Sequence, residues 1–253
     1  MKIASFGGTD IGKKRTNNED AYLMNDELCL YAVADGVGGN EGGEVASRTA
    51  VETLAASMPD LLGEKDRTPP TGVLSSTESE TMALTYALTL ANRTIRAEQS
   101  HNPGLAGMAT TLTALLLRKG RMFLAHIGDS RAYLLRAGKF KQLTSDHTFV
   151  AEQIRDGALT PKQALRSPYR HVITRALGIG AEAKADIASH ALQRDDRLLL
   201  CTDGLTGVVD DAEISRLLST MTPRDAVQKL LAAANDGGGI DNITAIVIWV
   251  TEI

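Results

Sequence analysis

Three apolar runs, at residues 111–117, 121–127 and 131–136, are joined only by Arg118-Lys119-Gly120 and Gly128-Asp129-Ser130. A parallel connection needs a crossover of about a dozen residues or more, so joints this short force antiparallel neighbours. The spacing predicts a meander, carried on by a fourth strand after the turn Ala137-Gly138-Lys139. A sheet that is parallel throughout is thereby excluded.

Further strand-like runs lie at residues 28–34, 197–202 and 243–250. Leu84, Leu88, Ala91 and Ile95 are spaced four, three and four, which puts them on one face of a helix predicted over 78–98. Ala46, Ala50, Leu54 and Met58 recur every four residues in a second helix, 43–58. Residues 211–219 and 223–234 read as two more, the latter with Thr222 as N-cap and Pro223 in the first turn. Strands and helices cluster in separate stretches, which favours an α+β fold with layered helices. The chain has 253 residues, 43% of them apolar, enough to bury a full-sized core. No linker or repeat divides it, so 1–253 reads as one domain, with 62–79, rich in Thr, Ser, Gly, Pro and charge, as a surface loop or insertion.

Charge narrows the function. Lys plus Arg total 27 against 31 acidic residues, a net charge of −4, so there is no basic excess to neutralise a nucleic-acid backbone. Residues 1–8 lack the apolar core of a signal peptide and no run reaches membrane-span length, so neither export nor insertion is expected. Cys29 and Cys201 each sit in an apolar run and read as small buried side chains of a cytoplasmic protein.

Asn17-Asn18-Glu19-Asp20, Ala34-Asp35-Gly36, Thr202-Asp203-Gly204 and Gly239-Ile240-Asp241-Asn242 each place acids at the edge of an apolar run. Taken singly, Asp-Gly is an ordinary turn, and Asp156-Gly157 and Asp236-Gly237 show how freely this chain uses it. Taken together they say more, because Asp35 and Asp203 both follow runs patterned as central strands and can converge on one rim. Two carboxylates about 5 Å apart repel by about 3 kcal/mol at an effective dielectric near 20, so a converged cluster shifts its pKa values or binds cations. Oxygen ligands select Mg²⁺ or Mn²⁺ over zinc or copper.

In order along the chain stand Arg15-Thr16-Asn17-Asn18-Glu19-Asp20, Val33-Ala34-Asp35-Gly36-Val37-Gly38-Gly39, Gly107-Met108-Ala109-Thr110-Thr111 and Gly128-Asp129-Ser130-Arg131. Leu143-Thr144-Ser145-Asp146-His147, Ile173-Thr174-Arg175-Ala176-Leu177-Gly178, Thr202-Asp203-Gly204 and Asp241-Asn242-Ile243-Thr244 follow. This series resembles the motifs of the metal-dependent type 2C protein phosphatases, in their bacterial branch. The resemblance implies a four-layer αββα sandwich, two mainly antiparallel sheets flanked by helices. It makes Asp35, Asp203 and Asp241, with the Gly36 carbonyl, ligands of two tightly bound Mn²⁺ or Mg²⁺ ions. Asp129 would join Asp203 at a weaker third ion, Asp20 and Glu19 would hold metal-bound waters, and Arg15 would grip the substrate phosphate. The implied activity is hydrolysis of phosphoserine and phosphothreonine by a hydroxide bridging the two ions, opposing a bacterial Ser/Thr kinase.

The implied partners are phosphorylated proteins, including such a kinase or its substrates, and the protein is expected to be a monomer without nucleic-acid or membrane partners. Residues 148–171 correspond to a flap beside the site. A competing class is a catalytically weak phosphoprotein-binding regulatory module on the same fold, which should have lost one of Asp35, Asp203 and Asp241; all three are present. A metal-dependent phosphodiesterase or nuclease would need a basic track for polyanions, and the net charge of −4 speaks against it. Many eukaryotic members of that family carry a histidine two residues after the first metal Asp and many bacterial ones carry it five residues after, but here these are Val37 and Asn40. Leaving-group protonation is then left to metal-bound water or to a residue the sequence does not identify. Of the other candidates, Arg15 could belong to a solvated Lys13-Lys14-Arg15 cluster and Asp129 could be a turn residue or a ligand. His126 reads as a hydrogen-bonded core residue, Thr110 and Thr111 as structural, and Asp146 as N-cap of a following helix.

Overall fold

The computed structural model describes residues 1–38, 41–63, 76–164 and 166–253, the side chains of residues 76 and 77 excepted. One sheet runs β1 (Lys2–Asp10), β11 (Ile243–Glu252), β10 (Arg197–Cys201), β7 (Arg131–Arg136), β8 (Lys139–Gln142). The other runs β2 (Asp20–Asn25), β3 (Leu30–Val37), β5 (Leu112–Arg118), β6 (Arg121–Ile127), β9 (Asp186–Ala191), with the short β4 (Ala109–Thr110) beside the end of β3. Every pairing is antiparallel.

The period-2 alternation of the strands divides the core into three layers. Leu30, Ala32 and Ala34 of β3 pack with Leu112, Ala114 and Leu116 against α1 (Gly42–Leu61) and α2 (Ser76–His101). The intervening Tyr31 and Val33 turn the other way, to Leu198, Leu200, Ile246 and Ile248 of the first sheet. That sheet's outer residues, Leu199, Cys201, Ala245 and Val247, meet α5 (Asp203–Thr206), α6 (Asp211–Thr220) and α7 (Pro223–Asp236). Helices, sheet, sheet and helices form the αββα sandwich expected of the chain. The Thr222 side chain caps α7 by accepting from Asp225 N, with Pro223 at its first position.

The meander is corrected in one place. β5 and β6 pair, and β7 pairs with β8, but β6 and β7 lie in different sheets. Stacked sheets are about 10 Å apart, a step that three residues can span. Gly128 makes the step with φ +111°, where any side chain would also collide with Thr111. Strands β1, β2 and β9 were not legible in advance, because they are sheet edges with mixed, half-buried sequences.

Other expectations shift as well. Cys29 sits half-buried in the turn before β3 at φ +51°, unlike the buried Cys201. Residues 76–79 of the expected loop are the first turn of α2, while 64–75 and Asn40 lie outside the described residues. Asp146 is not an N-cap: Arg131 holds it bidentately, and Thr148 caps α3 (Phe149–Arg155), which precedes the short α4 (Pro161–Ala164), by accepting from Ala151 N. Among the described residues no helix is long and apolar enough to cross a membrane.

Leu200 is fully buried between the sheets. Leu200→Ala is expected to cost about 2–5 kcal/mol of unfolding free energy by urea denaturation, since a site walled by two sheets collapses poorly onto a cavity.

Candidate functional site

At one end of the inter-sheet layer the alternation continues but the residues turn polar. Beyond Tyr31 and Val33 comes Asp35, beyond Leu198 and Leu200 comes Thr202, and Ile248 and Ile246 lead back to Thr244. Asp20 stands opposite Asp35 in the β2–β3 register. One Asp20 oxygen, Oδ2, accepts from the hydroxyls of Thr202 (2.8 Å) and Thr244 (2.7 Å). The other, Oδ1, is buried with no hydrogen-bond partner.

Burial sets the electrostatics here. Asp20 is pushed up to about 7, first by desolvation, against its two threonine hydrogen bonds, and then by Asp203 and Asp241. Asp35 is raised well above its ordinary value by burial and then by Asp20, Asp203, Asp129 and Asp241. Asp203, the first residue of α5, is raised by burial and Asp241, while its hydrogen bond with Asp35 works the other way. Asp129 is pushed up to about 7 by burial, then by Asp203. Each carboxylate is thus held where its charge is unwelcome.

The backbone beneath them is pinned. Asp35 N donates to Thr111 Oγ1 (2.9 Å) and its carbonyl accepts from Thr110 Oγ1 (3.0 Å), giving both threonines the structural role read from the sequence. Thr111 is hydrogen-bonded to Ser130 through their hydroxyls (2.8 Å), tying the Asp35 strand to the Asp129 turn. Gly36 donates to the Glu19 carbonyl, and a side chain there would collide with the Gly43 carbonyl at the start of α1. Nearby, His126 is buried and hydrogen-bonded to Thr113 (2.9 Å) and to the Ser145 carbonyl (3.2 Å), as a core residue should be.

Arg15 lies on the rim, half exposed, with Nη2 2.7 Å from Asp241 Oδ2. Asp241 Oδ1 accepts from Asn242 N (2.8 Å), so both its oxygens are engaged. Glu19 is raised by desolvation, with Arg15 opposing. Asn242 is the residue that sequence reasoning passed over. Its Nδ2 donates to the carbonyls of Ile11 and Asn17 and its Oδ1 accepts from Glu19 N, so one buried amide seats the whole Arg15–Asp20 loop against β11. A short-range signal existed: an Asn beside an acid, just before a central strand.

Among the described residues no three His, Cys, Asp or Glu side chains already form a cluster of metal-site dimensions. The donor chemistry nonetheless fits hard divalent cations. Asp20, Asp35, Asp129, Asp203 and Asp241 lie within mutual electrostatic reach, supply only oxygen, and include a buried oxygen without a partner.

Residues 8–235 match the family described as Protein phosphatase 2C. The serine/threonine protein phosphatase PstP of Mycobacterium tuberculosis is 38% identical over 244 residues, covering 96% of this chain and 44% of that protein. The serine/threonine phosphatase stp of Listeria innocua is 34% identical, covering 95% of this chain and 93% of its own. This chain therefore spans less than half of the mycobacterial relative and nearly all of the Listeria one. A crystal structure of the PstP catalytic domain in complex with two manganese ions superposes with a TM-score of 0.84 at 36% identity, covering 99% of each chain.

Two stability measurements follow. Asp20 ionises at a cost in the folded protein, so in chelator at pH 8 Asp20→Asn is expected to be more stable than wild type, on the order of 2 kcal/mol by urea denaturation. Burial, and then His147, push His126 down to about 4. A lowered imidazole contributes stability fully present above its unfolded value of about 6.5 and lost as pH falls toward 4. The stability margin of wild type over His126→Gln should therefore shrink by about 2 kcal/mol from pH 7.5 to pH 5.

Proposed function

The chain belongs to the protein phosphatase 2C family, and from that membership we propose that it is a metal-dependent phosphatase acting on phosphoserine and phosphothreonine in proteins. The observation that carries this reading is the gathering of buried carboxylates at one end of the inter-sheet layer. Asp35, the Gly36 carbonyl, Asp203 and Asp241 would hold two Mn²⁺ or Mg²⁺ ions, and Asp129 with Asp203 a weaker third. Asp20 and Glu19 would hold the surrounding waters. When bound, such ions supply a hydroxide from water for in-line attack on phosphorus and neutralise charge on the phosphoryl oxygens.

The chain's own residues do the rest. Arg15 presents a planar fork of donors beside the carboxylates, suited to two phosphoryl oxygens, and its contact with Asp241 aims it there. A thiolate nucleophile finds no support: burial pushes Cys201 up to about 12, and Cys29 is also raised by burial. The presence of Asp35, Asp203 and Asp241 together favours turnover over a binding-only module.

The rest of the reading is coarser. Phosphorylated proteins, among them a Ser/Thr kinase or its substrates, are the proposed partners. Residues 1–253 are proposed to act as one monomeric catalytic domain in the cytoplasm, with 148–171 as a flap that meets the substrate protein. The two free cysteines accord with a reducing compartment.

Hydrolysis of p-nitrophenyl phosphate and of a phosphothreonine peptide, with Mn²⁺ and in chelator, tests the proposal. Turnover should require the metal. Asp35→Asn and Asp203→Asn should each lose about 10³-fold or more in kcat with circular dichroism intact. Arg15→Ala should act largely through KM. Full activity after exhaustive dialysis against chelator would overturn the metal mechanism.

A further inference from the structure

On the phosphatase reading, hydrolysis of a seryl or threonyl phosphate must deliver a proton to an alkoxide, a far poorer leaving group than a nitrophenolate. The site's carboxylates are placed for cations, and Arg15 does not give up its proton. Histidine is the side chain suited to the task. His126 and His147 are buried and engaged, the first by Thr113 and the Ser145 carbonyl, the second by Gly128 N (3.1 Å) and Asp186 (3.2 Å). His101 ends α2, and His190 lies on β9 opposite Met122, away from the carboxylate end.

His171 differs from all four. It is exposed, and its imidazole makes no hydrogen bond among the described residues. The backbone that carries it is anchored at the site. Phe149 N donates to the Val172 carbonyl (2.8 Å), Ile173 bridges Thr148, and Thr174 N donates to the His147 carbonyl (2.8 Å). His147 in turn grips both polar backbone atoms of Gly128: its N donates to the Gly128 carbonyl (2.8 Å) and its Nδ1 accepts from Gly128 N. Gly128 adjoins Asp129, so residue 171 is rooted on the Asp129 wall of the site. The His171 side chain lies within electrostatic range of the Asp203 carboxylate. A free imidazole on a braced backbone therefore stands within electrostatic range of the Asp129–Asp203 side of the carboxylate cluster.

We propose that His171 is the general acid that protonates the leaving seryl or threonyl oxygen. As the hydroxide oxygen forms its bond to phosphorus, the ester P–O bond breaks and its electron pair passes to the alkyl oxygen. That oxygen takes the ring N–H proton, leaving as the Ser or Thr hydroxyl, and the neutral imidazole regains a proton from solvent. Val37 and Asn40 then leave no gap in the chemistry, because the donor comes from another part of the chain.

The test compares kcat on a phosphoserine peptide with kcat on p-nitrophenyl phosphate, in the Mn²⁺-loaded full chain, for wild type, His171→Asn and His171→Gln. Calorimetry supplies the Mn²⁺ affinity of each. The peptide-to-nitrophenyl ratio should fall about 10²-fold in both variants, the low end for general acid catalysis. Mn²⁺ affinity should stay within about twofold. The remote His190→Gln should leave the ratio where it was. Equal losses on both substrates, an unchanged ratio, or weakened Mn²⁺ binding would overturn the assignment. Wild-type protein inert toward both esters would instead overturn the phosphatase reading, and this inference with it.

Discussion

Two sheets stacked face to face leave their shared layer open at the end, and in this chain carboxylates occupy the opening. Asp20, Asp35, Asp129 and Asp203 are raised in pKa chiefly by loss of water, with their neighbours' charge adding to it. A cluster of this kind opposes folding as a set of anions and favours it once cations arrive. Burial also leaves Asp20 Oδ1 without a hydrogen-bond partner.

Holding mutually repelling groups together requires stiff surroundings, and these are built from neutral hydrogen bonds. Thr202 and Thr244 satisfy one oxygen of Asp20, Thr110 and Thr111 fix the backbone at Asp35, and Ser130 links that strand to the Asp129 turn. Asn242 fastens the Arg15 loop. Hydroxyls and amides do this without adding charge to the cluster. The backbone at Phe149 and at Ile173–Thr174 is attached to the same scaffold through Thr148 and His147.

The short motifs carried much of this in advance. Asp35 and Asp203 each follow a continuous apolar run because central strands are buried on both faces, and that pattern is local. The helices with regular four-residue spacing and the Thr222 cap are local too. Edge strands β1, β2 and β9 escaped because one side of an edge faces water and its sequence carries no continuous apolar run. Asp146 was misplaced because Arg131, distant in sequence, outcompetes a helix end for it.

By itself, then, the sequence determined the α+β class, the antiparallel pairings across Arg118-Lys119-Gly120 and Ala137-Gly138-Lys139, the oxygen-only character of the acidic set and the family, all of which rest on residue types at short spacing. Which sheet each strand joins was decided by tertiary structure: three residues at Gly128-Asp129-Ser130 are short enough for a hairpin and long enough to change layers. The depth of each carboxylate, the seating of Asn242 and the bracing of the His171 backbone against His147 were decided there as well. Such facts depend on contacts between residues far apart in the chain, and desolvation exists only once both sheets have closed.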